Sequence, residues 1–144
     1  MYDKNLYEYL DEAYTRKLNE QARLVESFPI YTPRLIIREI ESQDFDTIHS
    51  IATHGDFSYY YFDGSVETSQ QFIDEALDSQ YDLQRGQIRK SFMMLAERRD
   101  TGEPVGHVTL DILDKAPDDY DLAYFIAPDS QGQRYATEIS SAMI

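Results

Sequence analysis

Ser91-Phe92-Met93-Met94-Leu95-Ala96, Val105-Gly106-His107-Val108-Thr109-Leu110-Asp111-Ile112 and Leu122-Ala123-Tyr124-Phe125-Ile126 decide the fold. Each is of strand length and rich in the apolar, β-branched and aromatic residues that suit a pleated surface. Between the first two lies Arg98-Arg99-Asp100-Thr101-Gly102-Glu103-Pro104, whose glycine and proline mark a turn, so the pair reads as an antiparallel hairpin. Pro117-Asp118-Asp119 reads as the next turn, and Pro128-Asp129-Ser130 closes the third strand. The nearly continuous apolar run at 92–96 predicts a strand covered on both faces, which requires helices on both sides of the sheet.

Those helices are found on either side of the strand block. Residues 3–27 repeat apolar positions at Leu6, Leu10, Tyr14, Leu18, Ala22 and Val25, the three-and-four spacing of an amphipathic helix. Phe28-Pro29 ends it, because the proline ring disfavours helix in the residue before it. Arg34-Leu35-Ile36-Ile37-Arg38-Glu39-Ile40 is a further strand. Ile48, Ile51 and Ala52 share a face of a helix over about 43–53. Thr68 with Gln71 carries a capping-box signature ahead of Phe72, Ile73, Ala76, Leu77 and Tyr81, a second helix ending near Gly86. Tyr135, Ala136, Ile139 and Met143 start a last one over about 134–144. The order α, β, α, α, β, β, β, α predicts a mixed α+β fold with a mainly antiparallel central sheet flanked by helices.

Composition narrows function. Lys+Arg is 13 and Asp+Glu is 27, a net charge of −14 that disfavours phosphate-neutralising nucleic-acid binding. The same charge attracts cationic partners, including amine-bearing substrates. The chain has no cysteine, which excludes disulfides, thiolate nucleophiles and cysteine-ligated metals. His49 and His54 miss the i, i+4 spacing of helical metal ligands, so no metal site is expected. The first residues form no secretory signal and no stretch has membrane-spanning length, so the expected location is the cytoplasm, away from any membrane.

Chemistry concentrates where the last strand runs into the last helix, at Ser130-Gln131-Gly132-Gln133-Arg134-Tyr135-Ala136-Thr137-Glu138. A helix N-terminus directs unpaired N–H groups and partial positive charge outward, and glycine lets an anion approach them closely. On the loop alone an ordinary connection is the commoner reading, since every strand–loop–helix junction shares these properties.

The wider context changes the weighting. Thr32-Pro33-Arg34-Leu35-Ile36-Ile37-Arg38, Thr101-Gly102-Glu103-Pro104-Val105-Gly106, Asp121-Leu122-Ala123-Tyr124-Phe125-Ile126-Ala127-Pro128 and Gln131-Gly132-Gln133-Arg134-Tyr135-Ala136-Thr137-Glu138 occur in that order. Together they resemble the GNAT N-acetyltransferase superfamily, in its RimJ/RimL ribosomal-protein-alanine acetyltransferase branch. The resemblance implies a GNAT domain over 31–144, preceded by a helical extension over 1–30 that docks on it or on a partner. It implies acetyl transfer from acetyl-coenzyme A to a primary amine, either a protein N-terminus or a polyamine-like or aminoglycoside-like molecule.

The resemblance also assigns residues. The family's Gln/Arg-x-x-Gly-x-Gly/Ala pattern falls on Gln131, Arg134 and Ala136, with Arg134 standing in place of glycine. Amides from Gly132 through Gln133, Arg134, Tyr135 and Ala136 to Thr137 would cradle the coenzyme's pyrophosphate. The backbone of Tyr124, Phe125 and Ile126 would pair with the pantetheine arm, splayed by a β-bulge, and an amide there would stabilise the oxyanion. Asp121 lies where the family carries a carboxylate base; apart from the resemblance, His107 stands mid-strand beside Gly106, and histidine's titration near neutrality would let it relay a proton. For both, the commoner reading is structural: a solvated strand end for Asp121, a packed histidine for His107. Tyr59, Tyr60, Tyr61 and Phe62 fall in a region where the family lines its acceptor pocket, and clamping an acceptor or capping the core are equal readings; Asp56, Asp63 and Glu67 nearby would suit a cationic acceptor, and a solvated acidic surface explains them equally well.

The family domain continues past the last helix with closing strands that carry its proton donor, so the resemblance implies an incomplete C-terminal half. The strand at 122–126 would then be an open edge needing cover from further chain, a second copy or a partner. A catalytically incomplete GNAT-like binding module is the alternative function. A binder of another phosphorylated ligand is the third.

Overall fold

The computed structural model describes residues 4–53, 65–113 and 116–143. In chain order the elements are α1 (Lys4–Glu26), β1 (Ile30–Tyr31), β2 (Leu35–Glu39), α2 (Phe45–Thr53), α3 (Val66–Ser79), β3 (Ser91–Arg98), β4 (Pro104–Leu113), β5 (Ala116–Ile126) and α4 (Tyr135–Met143). Single 3₁₀ turns at Ser42–Asp44, Leu83–Arg85 and Pro128–Ser130 join them. The strands form one sheet in the order β1-β2-β3-β4-β5, antiparallel at every step. This is the expected α+β architecture. No described helix is long and apolar enough to cross a membrane.

Strand β3 explains its own composition. Met94 and Ala96 point into a cluster with Leu35, Ile37, Val108, Tyr135 and Ile139, on the α4 side of the sheet. Leu95 points the other way, into Ile40, Ile48, Phe72, Ile73 and Ala76 under α2 and α3. Alternate side chains serve opposite cores, so every position is apolar.

Four local expectations are corrected. The third helix starts earlier than Thr68: Ser65 is the N-cap and its hydroxyl accepts from the Thr68 amide at 3.1 Å. Pro117-Asp118-Asp119 is not a turn but lies inside β5, which begins at Ala116. Proline is tolerated there because β5 pairs only with β4 among the described residues. The two-residue β1 was not expected; it folds back on β2 with Ile30 opposite Ile37. Finally, the β4–β5 register is even from Gly106 opposite Ile126 to Ile112 opposite Tyr120, and shifts only between Ile112 and Leu113. No extra residue is inserted into that ladder at Tyr124–Ile126.

Helix α1 lies against the sheet domain on a face that keeps Leu18 and Val25 of the predicted stripe half-buried and adds Gln21. Tyr14 and Ala22 are exposed, whereas Gln21 is buried. Its side chain reads one peptide edge of Arg89: Oε1 accepts from the Arg89 amide at 2.8 Å and Nε2 donates to the Arg89 carbonyl at 2.9 Å. Tyr14 donates to the Gly86 carbonyl at 2.7 Å, and the Lys17 ammonium sits 4.7 Å over the Tyr120 ring.

Candidate functional site

Strand β5 delivers the chain, through the Pro128–Ser130 turn, to the loop ahead of α4. Gly132 has φ 81° and Arg134 has φ 64°, the one described non-glycine residue in the left-handed region. The position where the family pattern has glycine is thus one whose backbone favours glycine. The first helical bond of α4 runs from the Glu138 amide to the Arg134 carbonyl at 3.2 Å. The amides of Tyr135, Ala136 and Thr137 precede that bond and so have no partner within the helix. Those three donors lie at the positive end of the helix and are available to an anion.

The loop is held from behind by the start of β2. Arg34 Nε donates to Glu138 Oε1 at 2.7 Å, and the Arg34 amide donates to Oε2 at 3.0 Å. Arg34 Nη2 donates to the Gln133 carbonyl at 2.9 Å, and the guanidinium lies 4.4 Å over the Tyr135 ring. Thr32 also donates to Glu138. Partial burial opposes ionisation of Glu138, but hydrogen bonds from Thr32 and Arg34 and the charge of Arg34 overcome it and hold the carboxyl below its usual range. A cleft of about 510 Å³ opens beside the loop, with Thr47, Arg98, Ala127, Ser130, Gln133 and Tyr135 in its walls.

Tyr124, Phe125 and Ile126 lead into this cleft along the open edge of the sheet. The Ala127 amide donates to the Val105 carbonyl at 2.7 Å. Hydrogen-bonded pairs alternate along an antiparallel ladder, so Phe125 faces β4 and the backbone groups of Tyr124 and Ile126 face outward. The outward Ile126 carbonyl accepts from Gln131 Nε2 at 3.2 Å. Tyr124 is 46% exposed, so this edge is accessible.

The two proposed proton-handling residues are not brought together. His107 is opposite Phe125 and Asp121 is opposite Asp111, four residues along β4. At ~3.4 Å per residue that is about 14 Å. His107 is buried, stacked on Phe125 at 5.2 Å between centroids and tilted against Phe72 at 5.6 Å. Burial pushes its pKa down to about 4, so the imidazole is neutral near pH 7 and its surroundings are those of a core side chain. Asp121 is exposed. Its cross-strand partner Asp111 lines a second cavity of about 310 Å³ between α3 and the sheet, where Phe72 and Met93 form apolar walls and Glu75 adds a carboxylate.

His49 donates to or accepts from Ser69 at 2.9 Å and stacks on Phe45, within the α2–α3 packing. His54, Asp56, Tyr59, Tyr60, Tyr61, Phe62 and Asp63 lie outside the described residues; Glu67 is in the first turn of α3. Sequence reasoning passed over Arg34 and Glu138 as site residues, although both stand in the quoted motifs. Their opposite charges, one per motif, were the available signal.

The sequence model for the "Acetyltransferase (GNAT) domain" family matches residues 34–144. An uncharacterized N-acetyltransferase, YoaA of Bacillus subtilis (strain 168), is 30% identical over 120 residues, covering 81% of this chain and 65% of the relative. A putative ribosomal-protein-serine acetyltransferase from Vibrio cholerae superposes with TM-score 0.61 at 21% identity, over 81% of this chain and 64% of that one. RimL, a ribosomal L7/L12 alpha-N-protein acetyltransferase solved with coenzyme A, superposes with TM-score 0.57 at 16% identity, over 78% and 62%. The chain therefore spans under two-thirds of the length of these relatives.

Proposed function

Because the chain belongs to the GNAT acetyltransferase family, we propose that it binds acetyl-coenzyme A and transfers the acetyl group to a primary amine. The observation that carries this reading is the N-terminus of α4, where the chain winds around a left-handed Arg134 and the amides of Tyr135, Ala136 and Thr137 precede the first helical bond. A linked pair of phosphates supplies the acceptors those donors lack. The outward N–H and C=O of Tyr124 and the outward N–H of Ile126 offer an extended, amide-containing arm the bonds a neighbouring strand would make.

A base takes the ammonium proton, the freed amine nitrogen bonds to the thioester carbonyl carbon, and the carbon–sulfur bond breaks so that coenzyme A leaves as its thiolate. Asp121 is the base we propose, directly or through water, since it is accessible to solvent where His107 is enclosed. The acidic cavity beside it, with Asp111 and Glu75, suits an acceptor that is cationic before it reacts. A protein N-terminus and a small amine both meet that description. Catalysis then rests on placing two substrates in line and on backbone dipoles at the carbonyl.

The test has two steps. Acetyl-coenzyme A should raise the thermal unfolding midpoint, because a ligand selective for the folded state stabilises it. Free thiol should then be released when amines are added. A module that acts by association alone would show neither.

A further inference from the structure

We infer that Arg34 is a positioning residue for the phosphate loop, setting the direction of the Arg134 amide through the peptide that joins Gln133 to Arg134. The inference rests on the coenzyme reading of that loop. A trans peptide points its C=O and N–H in opposite directions. The Gln133 carbonyl is drawn back to Arg34 Nη2 at 2.9 Å, so the Arg134 amide on the same plane is turned outward, away from β2. The direction of that plane is set by ψ of Gln133 and φ of Arg134, and the left-handed φ of 64° at Arg134 is one an L-residue leaves readily when nothing holds it.

Three further contacts fix the guanidinium that does the pulling. Nε is spent on Glu138 Oε1 at 2.7 Å, the ring of Tyr135 lies 4.4 Å beneath the guanidinium, and Glu138 is itself held by Thr32 and the Arg34 amide. Glu138 and Tyr135 belong to α4, so the fork registers the helix and the loop against β2 at once. A lysine has no planar fork and cannot reproduce this division of labour. The Arg34 side chain is 45% exposed, so its removal is not a core defect.

The experiment compares wild type with Arg34→Ala, Arg34→Lys and a control, Arg85→Ala, which removes an exposed ion pair with Asp78. Binding of coenzyme A is followed by calorimetry, and the Arg134 amide is followed by nitrogen-15 NMR without ligand. Loss of one orienting bond at a charged site corresponds to a loss of about tenfold in affinity. Arg34→Ala and Arg34→Lys should both show it, with Arg85→Ala unchanged. The Arg134 amide signal should move or broaden in both Arg34 variants before any coenzyme is added. Wild-type affinity in Arg34→Ala, full recovery in Arg34→Lys, or an unmoved Arg134 signal would overturn the inference. Absence of coenzyme uptake by the wild-type protein would instead overturn the reading on which it rests.

Discussion

A side-chain carbon placed on Gly106 would sit on the carbonyl oxygen of Phe125, with the carbonyl carbon only 2.9 Å away and the Ile126 Cα at 3.1 Å. The obstacle is backbone, so it cannot rotate aside as the tip of a side chain would. β4 and β5 approach this closely at the point where β5 turns toward the loop ahead of α4. Glycine is required here for space, in a motif first noticed for its hairpin.

Replacement of Gly106 by alanine should therefore push β5 off β4. Overpacking against backbone costs about 2–4 kcal/mol, which denaturant unfolding would register as a lower midpoint at unchanged slope. Coenzyme uptake should fall as well, because Tyr124 and Ile126 move with the strand. A midpoint within error of the wild type would show that the strands separate freely.

Arg134 makes the opposite case. Its φ of 64° costs an L-residue roughly 1 kcal/mol, and glycine is free of that cost. Arg134→Gly should raise the thermal midpoint by a few degrees, while the β-branched Arg134→Val should lower it. The ordering of the three midpoints is the measurement.

Gln21→Leu fits the hole by volume and fails by chemistry. It would strand the Arg89 N–H and C=O in a buried position, at a cost of about 2–3 kcal/mol. Limited proteolysis should then cut within α1 sooner than in the wild type. Equal protection would show that α1 is held by its apolar contacts alone.

Acid should weaken the protein earlier than its carboxylates require. His107 is held neutral, with a folded pKa of about 4 against an ordinary 6.5. Its contribution is complete above pH 6.5 and is lost as pH falls toward 4, because the unfolded chain binds the proton first. The slope is ~1.4 kcal/mol per pH unit, up to about 3 kcal/mol in all. Asp44 and Glu138 act lower. For Asp44, burial opposes ionisation, but the Arg38 hydrogen bonds, the Glu41 amide and the Arg38 charge outweigh it. Both carboxyls sit below their ordinary values, so their contribution persists above about pH 4 and disappears below it. Between pH 6.5 and 4.5, His107→Phe should flatten the stability profile. An unchanged slope would place the titrating group elsewhere.

Periodicity made most of the architecture readable in advance. The doubly apolar run at 92–96 demanded two covering layers, and α2, α3 and α4 supply them. Local chemistry misled where two residues offered the same service. Ser65 and Thr68 both carry a capping hydroxyl, and only the chain's path selects Ser65. Pro117-Asp118-Asp119 has turn composition but continues a strand, because an edge strand does not need every N–H. Gln21 was hidden because a buried polar side chain breaks the apolar stripe used to find the face.

The candidate loop was legible for a related reason. Gly132 and the small residues at the start of α4 describe backbone exposure, which sequence records directly. The brace behind the loop was not, since Arg34 and Glu138 are 104 positions apart and nothing local pairs them. Likewise, that His107 is packed between Phe72 and Phe125 depends on strand pairing and helix docking, neither of which a single strand's composition reveals.

The seat of α1 has a kinetic consequence. Tyr14 reaches Gly86, 72 residues downstream, and Gln21 reaches Arg89 and, through a 3.3 Å bond from Nε2 to the hydroxyl, Tyr120, 68 and 99 residues downstream. Closing chain segments of that length is entropically slow, and β3 to β5 must be assembled before the last anchor exists. Helix α1 leaves the ribosome ahead of every one of these anchors and therefore waits, amphipathic and unmated, until β3 to β5 have been translated. That interval is when this chain is most exposed to misassociation.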